Sequence, residues 1–259
     1  MSQSLNAPVD LYYFTGTGNT LLVAREVQKT LAARGLQCAL RRIEKSDPAA
    51  VDPTHVLGLG FPIAGFTTYP LVWKFIEKLP QAHGAPAFAF ATMGGMAFAA
   101  MGPLGRILSA KGYVLTGATQ ISMPANLWSK RYDPDKTRKR TEQGLSHARR
   151  FANDLADHKA RWWTFPLLGR LLHPLLTSKK MWSSTPDYVK IDRDKCTKCA
   201  LCVELCPADA IELNQEVVLN GKCQWCLRCV SYCPEQALYY SKDKYERYKP
   251  TTIEEILHD

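Results

Sequence analysis

The chain has 259 residues, 46% of them hydrophobic, 22% charged and 10% aromatic. That is enough for one large domain or two modest ones with an ordinary core, and it excludes a disordered or fibrous protein. No apolar stretch approaches the roughly 18 residues of a membrane span. Residues 1–10 lack the charged start and apolar core of a signal peptide, so the expected location is cytoplasmic. The net charge of +9 is uneven: residues 128–160 carry nine basic and five acidic side chains, and residues 161–185 carry four and none. No nucleic-acid motif accompanies this excess. It fits an acidic partner or a membrane surface, with no nucleic acid expected.

In chain order, an apolar run at 11–14 predicts a first strand that ends in a Gly- and Thr-rich turn. Apolar residues at helical spacing over 21–33 predict a helix, with Gly35 as its stop. A second strand is expected near 38–43 and a third at 56–60, followed by a helix over 70–79. A buried strand follows at 85–91, then a helix broken by Gly102-Pro103 that runs to about Lys111. A fifth strand at 113–122 and a long basic helix over 134–158 complete the pattern. Five strand–helix repeats imply an α/β fold with a parallel, doubly wound five-stranded sheet.

The chain then changes character. Residues 161–185 form a candidate amphipathic linker, with Leu167, Leu168, Leu171, Leu172, Leu175 and Leu176 on one side of a helical wheel and Pro174 as a kink. Residues 186–245 are a compact cysteine-rich unit, and 246–259 read as a terminal tail or short helix. The domain division is therefore 1–160, 161–185, 186–245 and 246–259.

Eight of the nine cysteines lie in an internal repeat: Cys196-x-x-Cys199-x-x-Cys202-x-x-x-Cys206-Pro against Cys223-x-x-Cys226-x-x-Cys229-x-x-x-Cys233-Pro. Four thiolates per cluster suit a [4Fe–4S] cubane, and the fourth cysteine of each run serves the other cluster. One set is then Cys196, Cys199, Cys202 and Cys233, and the second is Cys223, Cys226, Cys229 and Cys206. Structural zinc sites use two C-x-x-C pairs with a longer gap, which this pattern is not. The unit resembles the bacterial two-cluster ferredoxins.

The second motif is Thr15-Gly16-Thr17-Gly18-Asn19-Thr20, between the first strand and the first helix. It matches neither the Walker pattern nor G-x-G-x-x-G, and its hydroxyls and amides at a helix N-terminus suit a monophosphate such as that of FMN. The run from Tyr13 to Thr20 resembles the phosphate loop of flavodoxins. With the Met123-Pro124-Ala125-Asn126 turn, the chain resembles flavodoxin–ferredoxin fusion proteins of anaerobic metabolism. The resemblance implies a flavodoxin-like domain joined to a small α+β two-cluster ferredoxin-like domain. It also implies that Thr15, Thr17, Asn19 and Thr20 donate to the FMN phosphate while Gly16 and Gly18 permit close approach. The flavin ring is expected between Phe61-Pro62-Ile63-Ala64-Gly65-Phe66 and Thr92-Met93-Gly94-Gly95-Met96, the crevice of such a sheet. Flavodoxins stack Trp or Tyr on the ring, and neither loop holds one; Tyr69 stands just beyond.

The expected function is electron transfer between FMN and two [4Fe–4S] clusters, and to or from a partner redox protein. The alternatives are a flavin-dependent reductase of a small molecule fed by the clusters, and a two-cluster ferredoxin whose flavodoxin-like half has lost FMN and serves in docking. Residues 161–185 are expected to pack between the domains, with peripheral membrane contact as the alternative. Cys38 reads as a small buried apolar residue. Residues 136–140 read as a solvated helix face, with a docking patch for an acidic redox protein as the sharper alternative.

Overall fold

Residues 9–14 alternate between two faces: Leu11 and Tyr13 pack with one set of core side chains, Tyr12 and Phe14 with another. Both sets are apolar, so this strand needs cover on each side, as a central strand of a parallel sheet does. The computed structural model describes residues 7–95, 99–126, 133–162, 182, 188–240 and 247–258. In it β1 (Val9–Tyr13), β2 (Cys38–Arg42), β3 (Val56–Pro62), β4 (Pro86–Met93) and β5 (Val114–Ser122) form one parallel sheet in the order β2-β1-β3-β4-β5. That is the flavodoxin-like order, whose direction reverses between β1 and β3.

Helices α1 (Asn19–Ala33) and α4 (Pro134–Ala156) cover the face bearing Leu11, Tyr13, Phe88 and Phe90. Helices α2 (Pro70–Glu77) and α3 (Met101–Ala110) cover the face bearing Tyr12, Phe14, Leu59 and Phe61. Ideal Cβ atoms on Gly58 and Gly60 would stand 2.7 and 2.4 Å from the rings of Phe88 and Phe90, so β3 is kept thin for its neighbour's aromatics. Because all five strands are parallel, the loops after β1, β3, β4 and β5 gather at one end.

Helix α3 is continuous where the Gly102-Pro103 pair predicts a break. Pro103 falls in its first turn, where a backbone N–H has no intrahelical acceptor to lose. The second strand stops at Arg42, because Ile43 turns into a short 3₁₀ segment, Ile43–Lys45. Of residues 161–185, only Arg161, Trp162 and Trp182 are described; the predicted leucine face lies outside the described residues, as does Met96.

The cysteine-rich half has little regular structure. Two antiparallel pairs, β6 (Lys190–Ile191) with β9 (Leu238–Tyr239) and β7 (Ile211–Leu213) with β8 (Val217–Leu219), flank two five-residue helices, α5 (Leu201–Leu205) and α6 (Arg228–Tyr232). The chain ends in α7 (Ile253–His258). Among the described residues, no helix is long and apolar enough to cross a membrane.

Candidate cofactor sites

The sequence repeat is also a repeat of backbone conformation. Lys198 and Ala200 flank Cys199 with φ of 58° and 63°; Trp225 and Leu227 flank Cys226 with 56° and 63°. Asp209 and Gln236, each three residues after the fourth cysteine of its run, also have positive φ. These left-handed residues bend each run around a point, and most non-glycine residues avoid that conformation unless the surroundings enforce it.

Two points result. Cys196, Cys199, Cys202 and Cys233 line one cavity of about 320 Å³, counting space open to solvent. Cys206, Cys223, Cys226 and Cys229 line another of about 370 Å³. The fourth cysteine of each run thus stands with the first three of the other. Backbone amides approach the sulfurs in matching places: Ala210 N–H donates to Cys206 Sγ and Ala237 N–H to Cys233 Sγ, both at 3.3 Å. Such bonds stabilise a thiolate and tune the potential of a bound cluster.

Burial, followed by crowding from neighbouring thiols, pushes Cys202 up to about 11. Burial also dominates at Cys226, pushed up to about 12, with Arg228 pulling the other way. Thiolates packed this way need compensating positive charge, which the irons of a cubane supply. Among the described residues, no three His, Cys, Asp or Glu side chains gather as they would around a single metal ion. The donor set and the two cavities fit [4Fe–4S] clusters.

The third cavity lies where the sheet's loops converge. Thr15, Gly16, Thr17, Asn19, Thr20, Pro62, Ile63, Tyr69, Thr92, Met93, Gly94, Gly95 and Asn126 line about 830 Å³, again counting open space. The loops are stitched together around it. Thr15 Oγ1 accepts from Gly18 N–H at 3.0 Å, and the Thr20 and Thr92 hydroxyls meet at 2.8 Å. Asn19 Nδ2 donates to Pro124 O, and Asn126 Nδ2 to Thr17 Oγ1.

No side chain caps α1, and no acid stands in its first turn, so its leading amides remain available for an anion. Thr15 and Thr17 use their oxygens as acceptors, leaving each hydroxyl hydrogen for the same anion. The donor set therefore fits a phosphate monoester.

Five described residues expected at this site do not line it: Gly18, Phe61, Ala64, Gly65 and Phe66. Phe61 is fully buried in the core beside α2, and Ala64 turns into a bridge with Thr67. Gly18 is covered from the C-terminal half, where an ideal Cβ would lie 2.4 Å from Thr251 Oγ1. Tyr69 does line the cavity. It sits just before α2, with its ring 5.3 Å from that of Phe14 and 5.8 Å from that of Trp182.

The glycine at position 16 answers to packing as well. Its ideal Cβ would lie 2.5 Å from the Cys226 carbonyl oxygen, so the phosphate loop and the second cysteine run touch backbone to backbone. Arg228 anchors this seam: its guanidinium donates to Thr15 O at 2.6 Å, pairs with Glu44 at 2.8 Å and lies 5.5 Å from the Phe14 ring centre. Glu44 also pairs with Arg42 at 2.9 Å. Burial opposes its charge, but Arg228 and Arg42 together hold its carboxyl below the usual range. Tyr232 donates to Thr17 O at 2.9 Å, and Gln224 accepts from Leu71 N–H at 3.0 Å. The terminal segment joins in through Tyr248, whose hydroxyl donates to Asn19 Oδ1 at 2.8 Å. None of the contacts between the two halves has a local sequence signal, because each of them links residues more than 150 positions apart.

Residues 188–238 match the 4Fe-4S dicluster domain family. A domain holding two such clusters makes this an electron-transfer protein. No curated protein matches the chain. Among solved structures, Bacillus cereus flavodoxin 2 is similar at 16% identity over 58% of this chain and 99% of its own, with a TM-score of 0.46. A flavodoxin from the domain Archaea is similar at 15% identity, covering 58% and 96%, with a TM-score of 0.44. For Megasphaera elsdenii flavodoxin the values are 23%, 54%, 98% and 0.39. The strand order itself carries the fold.

Proposed function

We propose that this protein holds one FMN in the loop cavity of its α/β half and relays electrons between it and the two clusters, exchanging them with a partner redox protein. The observation that carries this is the shared seam, where Gly16 of the phosphate loop packs directly on Cys226 of the second cysteine set. FMN exchanges one or two electrons and each cubane one, so the pairing links two-electron to one-electron chemistry.

The chain's own residues supply binding and alignment. The amides of α1 and the hydroxyls of Thr15 and Thr17 hold the phosphate, and Pro62, Ile63, Tyr69 and Met93 wall the ring. Arg228 and Tyr232 hold the loop's carbonyls from the cluster side, so loop and clusters keep one spacing. Tyr69 takes the aromatic place that the two ring loops lack. Burial first, then the nearby Cys226 and Cys223, raises its phenol far above the ordinary value, so it stays protonated.

Anaerobic purification followed by flavin, iron and sulfide analysis tests the reading. About eight irons and one FMN per chain are expected. About eight irons with no flavin, even after FMN is added, would overturn it.

A further inference from the structure

Helix α4 carries a cationic stripe with a groove beneath it. Lys136, Lys139, Arg140, His147 and Arg150 share one face and, with Ser122 at the end of β5, line about 840 Å³ of space open to solvent. Among the described residues, no acid lines this groove. Of the helix's three acids, Asp135 and Glu142 pair with Arg138, and Asp154 does not line the groove. Lys136 is partly neutralised by Asp133 at 3.3 Å, but Lys139, Arg140 and Arg150 have no carboxylate partner among the described residues.

The groove also shares a wall with the loop cavity. Arg140 donates to Gly94 O at 2.8 Å and Ser122 Oγ at 3.2 Å, and Gly94 lines that cavity. Among the described residues β5 is the last strand of the sheet, with a bridge from Ala118 to Trp162 on its outer edge.

We infer that this groove docks an acidic electron-carrier protein, whose carboxylates meet Lys139, Arg140 and Arg150 and whose redox centre faces the 92–95 loop. The inference rests on reading the loop cavity as the FMN site. From Lys136 to Arg150 the stripe runs roughly 21 Å along the helix, too long for one phosphate and suited to a protein face. Among the described residues, no aromatic side chain lines it to stack bases, and no large apolar one lines it to enter a membrane. Charge arranged this way mainly speeds and orients encounter.

The test uses the whole, cluster-loaded chain, with an acidic plant-type [2Fe–2S] ferredoxin as probe and basic cytochrome c as comparator. Binding is measured by calorimetry and electron transfer by stopped flow, at low and high salt. Lys139→Glu with Arg150→Glu leaves the Arg140 contact to Gly94 intact. The pair should weaken ferredoxin binding about tenfold or more at low salt, and the wild-type advantage should vanish near 0.5 M salt. The Lys139→Gln, Arg150→Gln pair should fall between, and cytochrome c should lose nothing.

Equal ferredoxin affinity in wild type and charge-reversed protein would overturn the inference. So would groove-dependent binding of oligothymidylate or anionic vesicles without ferredoxin binding. Flavin content is scored separately: groove-dependent ferredoxin binding by a chain that takes no FMN would sink the FMN reading and leave the docking surface standing.

Discussion

The α/β half and the cysteine-rich half stabilise themselves in different ways. Residues 9–156 bury apolar side chains on both faces of a five-stranded sheet, with helices of eight to 23 residues closing each face. Residues 188–240 have strands of two or three residues and helices of five. Their main core contains Cys202, Cys229 and Cys233 among its buried members, so part of that core is ligand. A unit this small rarely folds on apolar burial alone; bound metal substitutes for the missing core.

Removing the iron anaerobically with a chelator breaks the comparison open and carries the largest expected effect. Amides of β7 and β8 and of both cysteine runs should lose hydrogen-exchange protection entirely, while β3 and β4 keep theirs. Retained protection over 188–240 in iron-free protein would show that its few apolar residues suffice. The seam adds a second consequence. FMN affinity should also fall on iron removal, because Arg228 and Tyr232 sit in the cluster half and hold the phosphate loop.

Next in size is Glu44→Ala. Arg228 is about 1% exposed and the Glu44 side chain 5%, so deleting the carboxylate leaves two guanidiniums without their counter-charge. The expected loss is ~3–5 kcal/mol of stability, measured by denaturant unfolding of the loaded protein. The native carboxyl is held below 4.5, so its contribution is complete above that value and is lost as pH falls through the lower native one. Wild type and variant should therefore differ equally at pH 8 and pH 6. A gap that closes between them would place the ionisation elsewhere.

These tests fall on the part of the molecule that local patterns do not display. Strands and helices were legible because apolar residues recur at periods of two and 3.6. The cysteine runs were legible because cluster ligation demands fixed spacing. Arg228, by contrast, reads only as a charge between Cys226 and Cys229; its partners Thr15 and Glu44 are set by tertiary packing. Pro103 reads as a breaker, and its place in the first turn of α3 depends on where the helix starts. Gly16 and Gly18 read as ligand-facing, whereas the space beside each Cα is filled by Cys226 and Thr251.

Gly16→Ala sharpens that last contrast. The added methyl meets backbone, which cannot swing aside, so the seam must open at a cost of ~1–3 kcal/mol. Gly95→Ala is the control, since nothing among the described residues lies within 4 Å of its ideal Cβ. Its stability should stay within about 0.5 kcal/mol of wild type. Equal stability of the two variants would mean that the halves do not press together at Gly16.

The smallest expected effect is also the most specific. Tyr232 lies beside the ligand Cys233, and its hydroxyl reaches Thr17 O at 2.9 Å and Thr251 Oγ1 at 2.9 Å. Tyr232→Phe keeps the buried ring and removes only those bonds, leaving the Thr17 carbonyl without its partner, at a cost of ~1–2 kcal/mol. Because the bond positions the loop rather than the cluster, iron and sulfide content should not change. FMN affinity, followed by flavin fluorescence, should fall roughly three- to tenfold, the binding equivalent of part of that cost. A drop in iron with FMN binding intact would reverse the assignment, making Tyr232 a support of the cluster half alone. An unchanged FMN affinity with full iron would mean that the phosphate loop holds its shape from within the α/β half, through the Thr15, Asn19 and Asn126 bonds.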